Sequence, residues 1–239
     1  YFSYYIDLYD KVYQSKTLFK QLENTINQLG SEKDFFETCQ QVIDIAIQTV
    51  KNTPEFQAFN NDRLDKYNVG EIIGTKGTIY LPEYDKGCFL SLDLKKANYH
   101  ALKFYNLNIV LNTNTYEEFI RKFTDIDYIC QSKYIRQVIF GHLNPKKQTK
   151  IQKYIIHNLS RLVMNYFDME RIRSTSFDEI VIQLSSPDEY ENNDEFKNTI
   201  QNFVKDFGVE LNTEVFYLKQ LKPHSFFVKE YLKSNKIEF

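Results

Sequence analysis

The chain has 239 residues, which corresponds to one large domain or two small ones. Its 30 basic and 32 acidic side chains give a net charge of -2, which excludes a uniformly basic coat for nucleic acid. No apolar run approaches the roughly 18 residues that a membrane-spanning helix needs, so we expect no membrane partner. The three cysteines lie far apart and the first residues lack a cationic leader, so we expect an intracellular protein, cytoplasmic or nuclear, that is not secreted.

Glycine and histidine are too sparse for several common sites. The seven glycines form neither G-x-x-x-x-G-K-[ST] nor G-x-G-x-x-G, which excludes the usual phosphate-binding loop and the dinucleotide-binding turn. The four histidines include no pair at metal-ligand spacing, so a structural zinc site is not expected. The sequence therefore predicts neither of these two loops and no structural zinc site.

The first 69 residues have the apolar spacing of helices. One helix is predicted up to Gly30, where glycine favours an end. A second is predicted from an N-cap at Ser31, with Asp34 three residues on, up to Thr53 and Pro54. Residues 1–69 are therefore assigned to a helical N-terminal region.

The pattern changes at residue 70, where short β-rich runs begin to alternate with helical ones. The predicted elements are a β-hairpin over 71–81, a strand over 88–94, helices over 95–105, 115–130 and 148–167, a β-β unit over 171–184, a helix over 194–207, and strands over 209–221 and 226–231. This order is typical of an α+β domain with an antiparallel sheet packed on helices, here spanning 70–239.

Charge is segregated along the second half of the chain. Residues 128–167 contain no acid, whereas 168–214 contain twelve acids. The basic side chains of the first window are Lys133, Arg136, Lys146, Lys147, Lys150, Lys153 and Arg161. Segregation of this kind indicates a polyanion-binding surface, although a solvated helix face would give the same spacing. We predict that Lys146, Lys147, Lys150 and Lys153 contact nucleic acid.

Two groups of carboxylates are associated with predicted strands. Asp93 ends an apolar strand, and Asp178 and Glu179 lie in a tight turn just before another. Grouped carboxylates are costly to desolvate, so they usually hold a cation. Oxygen ligands select Mg²⁺ or Mn²⁺, and two such ions can hold the attacking and leaving oxygens of a phosphoryl transfer.

Three segments, in this order, resemble the palm motifs of reverse transcriptases and RNA-dependent polymerases. Residues 89–99 (FLSLDLKKANY) resemble the first motif, in which an aspartate ends a strand before a helix. Residues 139–145 (IFGHLNP) resemble the glycine- and proline-containing loop that precedes a long helix. Residues 177–182 (FDEIVI) resemble the aromatic-x-Asp-Asp hairpin turn, with Glu179 at the place of the second Asp. The resemblance covers roughly residues 70–232 and implies a polymerase palm-like fold, with residues 1–69 as a fingers-like or packing element.

The resemblance also implies roles for individual residues. Asp93 and Asp178 would be catalytic and would bind both metal ions, with the carbonyl of Leu94, and Glu179 would support them. Asn98 stands where the family contacts the ribose, and a polar residue there suits ribonucleotides; Tyr99 would take an aromatic role if the register slips by one. The residues expected to approach the nucleotide are Asn98, Tyr99, Lys133, Arg136 and Gly141. No clear thumb follows the third motif, so other subunits are expected to supply one.

The leading hypothesis is a template-directed nucleotidyltransferase that uses Mg²⁺ or Mn²⁺, with a nucleic-acid template and primer and a nucleoside triphosphate as partners. The primer 3′-hydroxyl would attack, so no protein nucleophile is needed. One alternative is a metal-dependent nuclease, which requires Glu214 and Lys219 near Asp178. Another is a non-enzymatic scaffold that binds nucleic acid or protein. Richness in Asn, Lys, Tyr and Ile indicates an AT-rich genome, such as that of a virus, a protist or a mobile element.

Overall fold

The computed structural model describes residues 1–70, 77–221, 226–232 and 237–238. Contacts divide the chain into two compact units, and each unit takes two separate stretches. The first unit consists of Tyr1–Asp62 and Tyr105–Pro145, and the second of Arg63–Phe104 and Lys146–Phe239. These units are groups of residues with many mutual contacts, and they do not test the domain boundary that we predict after residue 69. That boundary stays a prediction.

Helices and strands account for most of the described chain. The helices are α1 (Phe2–Tyr13), α2 (Ser15–Leu29), α3 (Glu32–Lys51), α4 (Pro54–Asn61), α5 (Ala97–Tyr105), α6 (Tyr116–Ile120), α7 (Asp127–Gln131), α8 (Lys133–Gly141), α9 (Pro145–Val163), α10 (Pro187–Glu191) and α11 (Asp194–Phe207). The strands are β1 (Cys88–Leu94), β2 (Ile172–Thr175), β3 (Glu179–Leu184), β4 (Leu211–Leu221), β5 (Phe226–Tyr231) and β6 (Ile237–Glu238). An α+β class with an antiparallel sheet is confirmed. No helix in the described stretches is both long and apolar enough to cross a bilayer.

The first unit is helical, and two of its helices begin at N-cap residues that the sequence shows. Ser31 Oγ accepts a hydrogen bond from the Asp34 amide (3.1 Å), which confirms the predicted start of α3. Thr53 caps α4 in the same way, with Pro54 in its first turn. The single helix predicted up to Gly30 is wrong, because Gln14 adopts a left-handed conformation (φ 52°) that separates α1 from α2.

The helix predicted over 115–130 is also divided in the structure. Helix α6 ends at Ile120, and α7 begins only at Asp127. Between them, the Arg121 side chain donates to the Asp125 carbonyl (3.2 Å), and Thr124 Oγ1 accepts from the Ile126 amide (3.2 Å). Such side-chain bonds to the backbone replace helical ones and so interrupt the helix.

The second unit is built on the sheet, whose strand order is β2-β3-β1-β4-β5-β6. Every pairing is antiparallel, and β1 lies between β3 and β4. The chain runs from β1 through helices to the β2-β3 hairpin, and then through α10 and α11 to β4. Strands β1 to β4 therefore have the β-α-β-β-α-β connectivity, in which β3 separates the parallel strands β1 and β2.

The two faces of the sheet differ in composition. Leu90, Leu92 and their neighbour Ile182 are fully buried on one face. Because alternate residues point to opposite faces, Phe89, Ser91 and Asp93 lie on the other. There an apolar cluster covers one part of the face, formed by Ile79, Phe89, Val181, Phe216, Leu218, Phe227 and Tyr231. The rest of this face carries the carboxylates.

Most predicted elements of the second unit occur close to their expected positions. The strand over 88–94 and the helix over 194–207 are confirmed, and the latter ends at Gly208 in a left-handed conformation (φ 60°). The long helix begins earlier than predicted, at Pro145, and ends at Val163. Of the hairpin predicted over 71–81, residues 71–76 lie outside the described residues. Residues 78–81 are not a strand, because the chain turns there into a short 3-10 helix, Pro82–Tyr84.

Candidate functional site

Three neighbouring strands bring their carboxylates to one face of the sheet. Asp93 on β1 lies directly opposite Glu179 on β3 and Asn212 on β4. Two residues earlier, Ser91 lies opposite Glu214. Directly opposed residues of an antiparallel pair share a face, so Asp93, Glu179 and Glu214 converge.

The turn before β3 is fixed by hydrogen bonds and joined to the end of β1. Ser176 Oγ accepts from the amides of Asp178 (3.2 Å) and Glu179 (3.0 Å), and donates to Asp178 Oδ1 (2.8 Å). The Leu94 amide donates to the Asp178 carbonyl (2.7 Å). This bond places Asp178 beside the end of the strand that carries Asp93. The two aspartates predicted to act together are therefore neighbours.

The electrostatics of Asp93 show how strongly the carboxylates affect one another. Burial raises the pKa of Asp93 to about 6, and the charges of Asp178, Glu179 and Glu214 add to the rise. Lys229 acts in the opposite direction. We define the carboxylate cluster as Asp93, Asp178, Glu179 and Glu214. The cluster has an excess of negative charge that one lysine does not balance.

Glu179 is held by two groups. Ser91 Oγ donates to its Oε1 (2.7 Å), and Lys229 Nζ lies 3.9 Å from the same oxygen. Lys229 is only 9% exposed, and its ammonium lies 5.0 Å from the centre of the Phe216 ring. Glu179 is thus oriented by the sheet itself rather than by the turn alone.

The carboxylate cluster supplies oxygen donors, the type that divalent ions such as Mg²⁺ prefer. Among the described residues, no group of three or more His, Cys, Asp or Glu side chains is placed to hold a metal ion alone. Mg²⁺ in nucleotide enzymes is commonly bound by one or two carboxylates together with substrate phosphates and water. Asp93 and Asp178 supply this donor type, and their uncompensated charge favours a cation. The role of the Leu94 carbonyl as a metal ligand stays a prediction.

The two candidates for the ribose contact differ in exposure. Tyr99 is fully buried (0% exposed), so its ring belongs to the core and is closed to a ligand. Asn98 is partly exposed, and its Oδ1 accepts a hydrogen bond from Gln152 Nε2 (2.6 Å) on α9. Of this pair, Asn98 is therefore the one whose side chain is accessible from solvent, and its contact with a nucleotide stays a prediction.

Three further predicted nucleotide contacts belong to the first unit. Lys133 is exposed, and the Arg136 guanidinium lies 5.5 Å from the centre of the Tyr116 ring. Gly141 is the last residue of α8, and no atom lies within 4 Å of the position that a Cβ would take. The fold therefore does not require glycine at this position. Nucleotide binding by all three residues stays a prediction.

The four predicted nucleic-acid contacts lie on α9 in the second unit. Lys146 is exposed, whereas Lys147 is partly buried. Lys150 Nζ donates to the Arg63 carbonyl (3.0 Å), and Lys153 Nζ lies 5.5 Å from the centre of the Phe177 ring. Since Phe177 belongs to the turn of Asp178, Lys153 extends positive charge towards the carboxylate cluster.

Several residues at the site escaped sequence reasoning. Ser91 lies two residues before Asp93, and the period of a strand places both on one face. Ser176 and Gln152 are ordinary polar residues in sequence, and only the turn and the helix packing give them partners. Lys229 follows an apolar run in β5, and a lysine at the end of such a run could have been predicted to be a buried charge.

Comparison with known proteins adds no relative: no family model, no curated protein and no solved structure matches this chain significantly. The function must therefore be inferred from the sheet, the carboxylate cluster and the residues around it.

Proposed function

We propose that this chain is a template-directed nucleotidyltransferase with a palm-like second unit, dependent on two Mg²⁺ or Mn²⁺ ions. The observation that carries the proposal is the meeting of Asp93 and Asp178, 85 residues apart in sequence, at one end of a β1-β3 pair. The hairpin turn at Asp178 is of the kind that the resemblance to polymerase palms implies, and it supports the proposal. Glu179 opposite Asp93 gives further support.

The chain's own residues would prepare the site in three ways. Asp93 and Asp178 would hold the ions, and Ser176 orients Asp178 through its 2.8 Å hydrogen bond. Ser91 and Lys229 hold Glu179 beside them. When bound, the ions would lower the pKa of the primer hydroxyl and neutralise the charge that develops on the phosphates. The protein then contributes mainly positioning and charge.

The contact between Asn98 and Gln152 suggests which sugar is accepted. Because Gln152 donates to Oδ1 of Asn98, the amide nitrogen of Asn98 remains as a donor for an incoming ligand. A ribose 2′-hydroxyl can accept such a bond, whereas deoxyribose lacks that group. We therefore expect a preference for ribonucleotides.

The other hypotheses receive less support. A nuclease site with Glu214 and Lys219 is not assembled, since Lys219 is paired with Glu230 (3.3 Å) and alternation directs it away from Glu214. A binding scaffold would have separated Asp93 from Asp178 or paired both with cations. In the described part of the structure, the ion pair at the carboxylate cluster is that of Lys229 with Glu179.

The test is nucleotide incorporation on primed RNA and DNA templates with Mg²⁺ or Mn²⁺. Asp93→Asn and Asp178→Asn should each lower the rate by at least about 100-fold, because each removes a charged metal ligand. Asp206→Asn, the same change at an exposed position of α11, is the matched control and should leave the rate unchanged. Equal incorporation by the wild type and Asp178→Asn would contradict the proposal.

A further inference from the structure

Lys229 is the one described cation paired with the carboxylate cluster, and its surroundings are unusual for lysine. It lies on β5 opposite Leu218, on the face of the sheet that carries the carboxylates. Its ammonium is 5.0 Å from the centre of the Phe216 ring and 6.0 Å from that of Tyr80. The Phe216 and Tyr80 rings thus flank the ammonium of Lys229, and its polar neighbour is the carboxylate of Glu179.

The ammonium of Lys229 has three donors, and within the described residues no acceptor lies at hydrogen-bonding distance. The nearest recorded acceptor is Glu179 Oε1 at 3.9 Å. Lys229 is only 9% exposed as a residue, so it gives up part of its hydration on folding. Attraction by the carboxylate cluster and the two rings is what holds it there.

The same oxygens that attract Lys229 would attract a divalent ion. Asp93 lies directly opposite Glu179, so an ion bound between Asp93 and Asp178 would be close to the lysine. Like charges a few ångströms apart repel, and the partial burial of Asp93 and Lys229 weakens the screening by water. The presence of the Lys229 ammonium therefore makes the binding of a divalent ion at the carboxylate cluster less favourable.

We propose that Lys229 is the resident counterion of the metal-free carboxylate cluster and competes with the divalent ion for it. This inference rests on the proposed function and adds a form of regulation to the same site. The free protein binds the ion weakly, and a bound substrate, whose phosphates supply negative charge, restores the affinity. Lys229 is thus a positioning residue that makes metal loading depend on substrate.

The experiment is a titration of the free protein with Mn²⁺ alone, followed by electron paramagnetic resonance of the unbound ion. Lys229→Met removes the charge and keeps the length, and it should bind Mn²⁺ at least about ten-fold more tightly than the wild type. Lys229→Arg keeps the charge and should bind like the wild type. Lys219→Met, on the neighbouring strand and the opposite face, is the matched control and should also be unchanged.

Thermal unfolding followed by circular dichroism checks that each variant is folded, and Lys229→Gln provides a second neutral side chain. Unchanged or weaker Mn²⁺ binding by both neutral variants overturns the inference. If Asp178→Asn still weakens binding in that case, the proposed metal site stands without the competition. If no variant binds Mn²⁺ and Asp178→Asn behaves like the wild type, both proposals fail.

Discussion

Replacing Asp93 by Asn should make the folded protein more stable at neutral pH while it removes activity. The wild-type carboxylate is ionised beside Asp178, Glu179 and Glu214, and burial deprives it of water. Asparagine has nearly the same shape and no charge. The free energy of unfolding should therefore rise, which is the reverse of the usual effect of a substitution in a buried strand.

The magnitude follows from the pKa of Asp93, which lies at about 6 against an ordinary value of 3.8. A pKa difference of about two units corresponds to roughly 3 kcal/mol at about 1.4 kcal/mol per unit. Asp93 is partly exposed, and solvent screens the repulsion, so we expect a gain of about 1–2 kcal/mol.

The dependence on pH has a definite sign. Below about pH 3 the carboxyl is protonated in both the folded and the unfolded protein, so the wild type and Asp93→Asn should be equally stable. Between about pH 3 and 6 the unfolded chain ionises first, and the wild type loses stability as the pH rises. Above about pH 7 the full difference is present.

The assay is urea unfolding of the wild type, Asp93→Asn and the control Asp206→Asn at pH 7.5 and pH 4. We expect a higher unfolding free energy for Asp93→Asn at pH 7.5 and a much smaller gain at pH 4. A lower stability at pH 7.5, or a gain of the same size at pH 4, would show that the burial and repulsion of the charged carboxylate are not its cause.

Three further changes test the surroundings of the carboxylate cluster. Ser176→Ala removes the bonds that hold the turn, so unfolding should cost about 1 kcal/mol less and incorporation should fall about ten-fold, with Thr restoring both; unchanged kinetics would deny Ser176 a positioning role. Asn98→Ala should reduce the ratio of ribonucleotide to deoxyribonucleotide incorporation, measured in single turnovers, about ten-fold or more; an unchanged ratio would exclude Asn98 as the ribose contact. Lys146→Ala should weaken nucleic-acid binding and lower the slope of log K against log salt by about 1 in a fluorescence titration; an identical slope would place Lys146 outside the interface.

Local patterns were sufficient for the elements that form the site. The apolar run before Asp93 predicts β1, and the polar turn before an apolar run predicts the hairpin that carries Asp178. Both depend on near neighbours in the chain, which a sequence displays directly. The pairing of the two segments was expected only from the order of the palm-like motifs, and β1 and β3 are adjacent in the sheet.

The remaining features depend on contacts that no local pattern contains. The break between α6 and α7 follows from bonds of Arg121 and Thr124 to the backbone, in a segment with helical periodicity. Lys229 meets Glu179 because the register across the β3-β1-β4-β5 part of the sheet brings them together. The hydrogen bond from Gln152 to Asn98 requires a particular packing of helix α9 against helix α5. Each is a consequence of tertiary structure.

The most direct test of the central claim is a single-turnover measurement of nucleotide incorporation by the wild type and Asp178→Asn under the same conditions. Both proteins must first show the same circular dichroism and the same binding of primed template. The account predicts incorporation by the wild type only in the presence of Mg²⁺ or Mn²⁺, and a rate at least about 100-fold lower for the variant. Equal rates, or no incorporation by the wild type on any primed template, would contradict it.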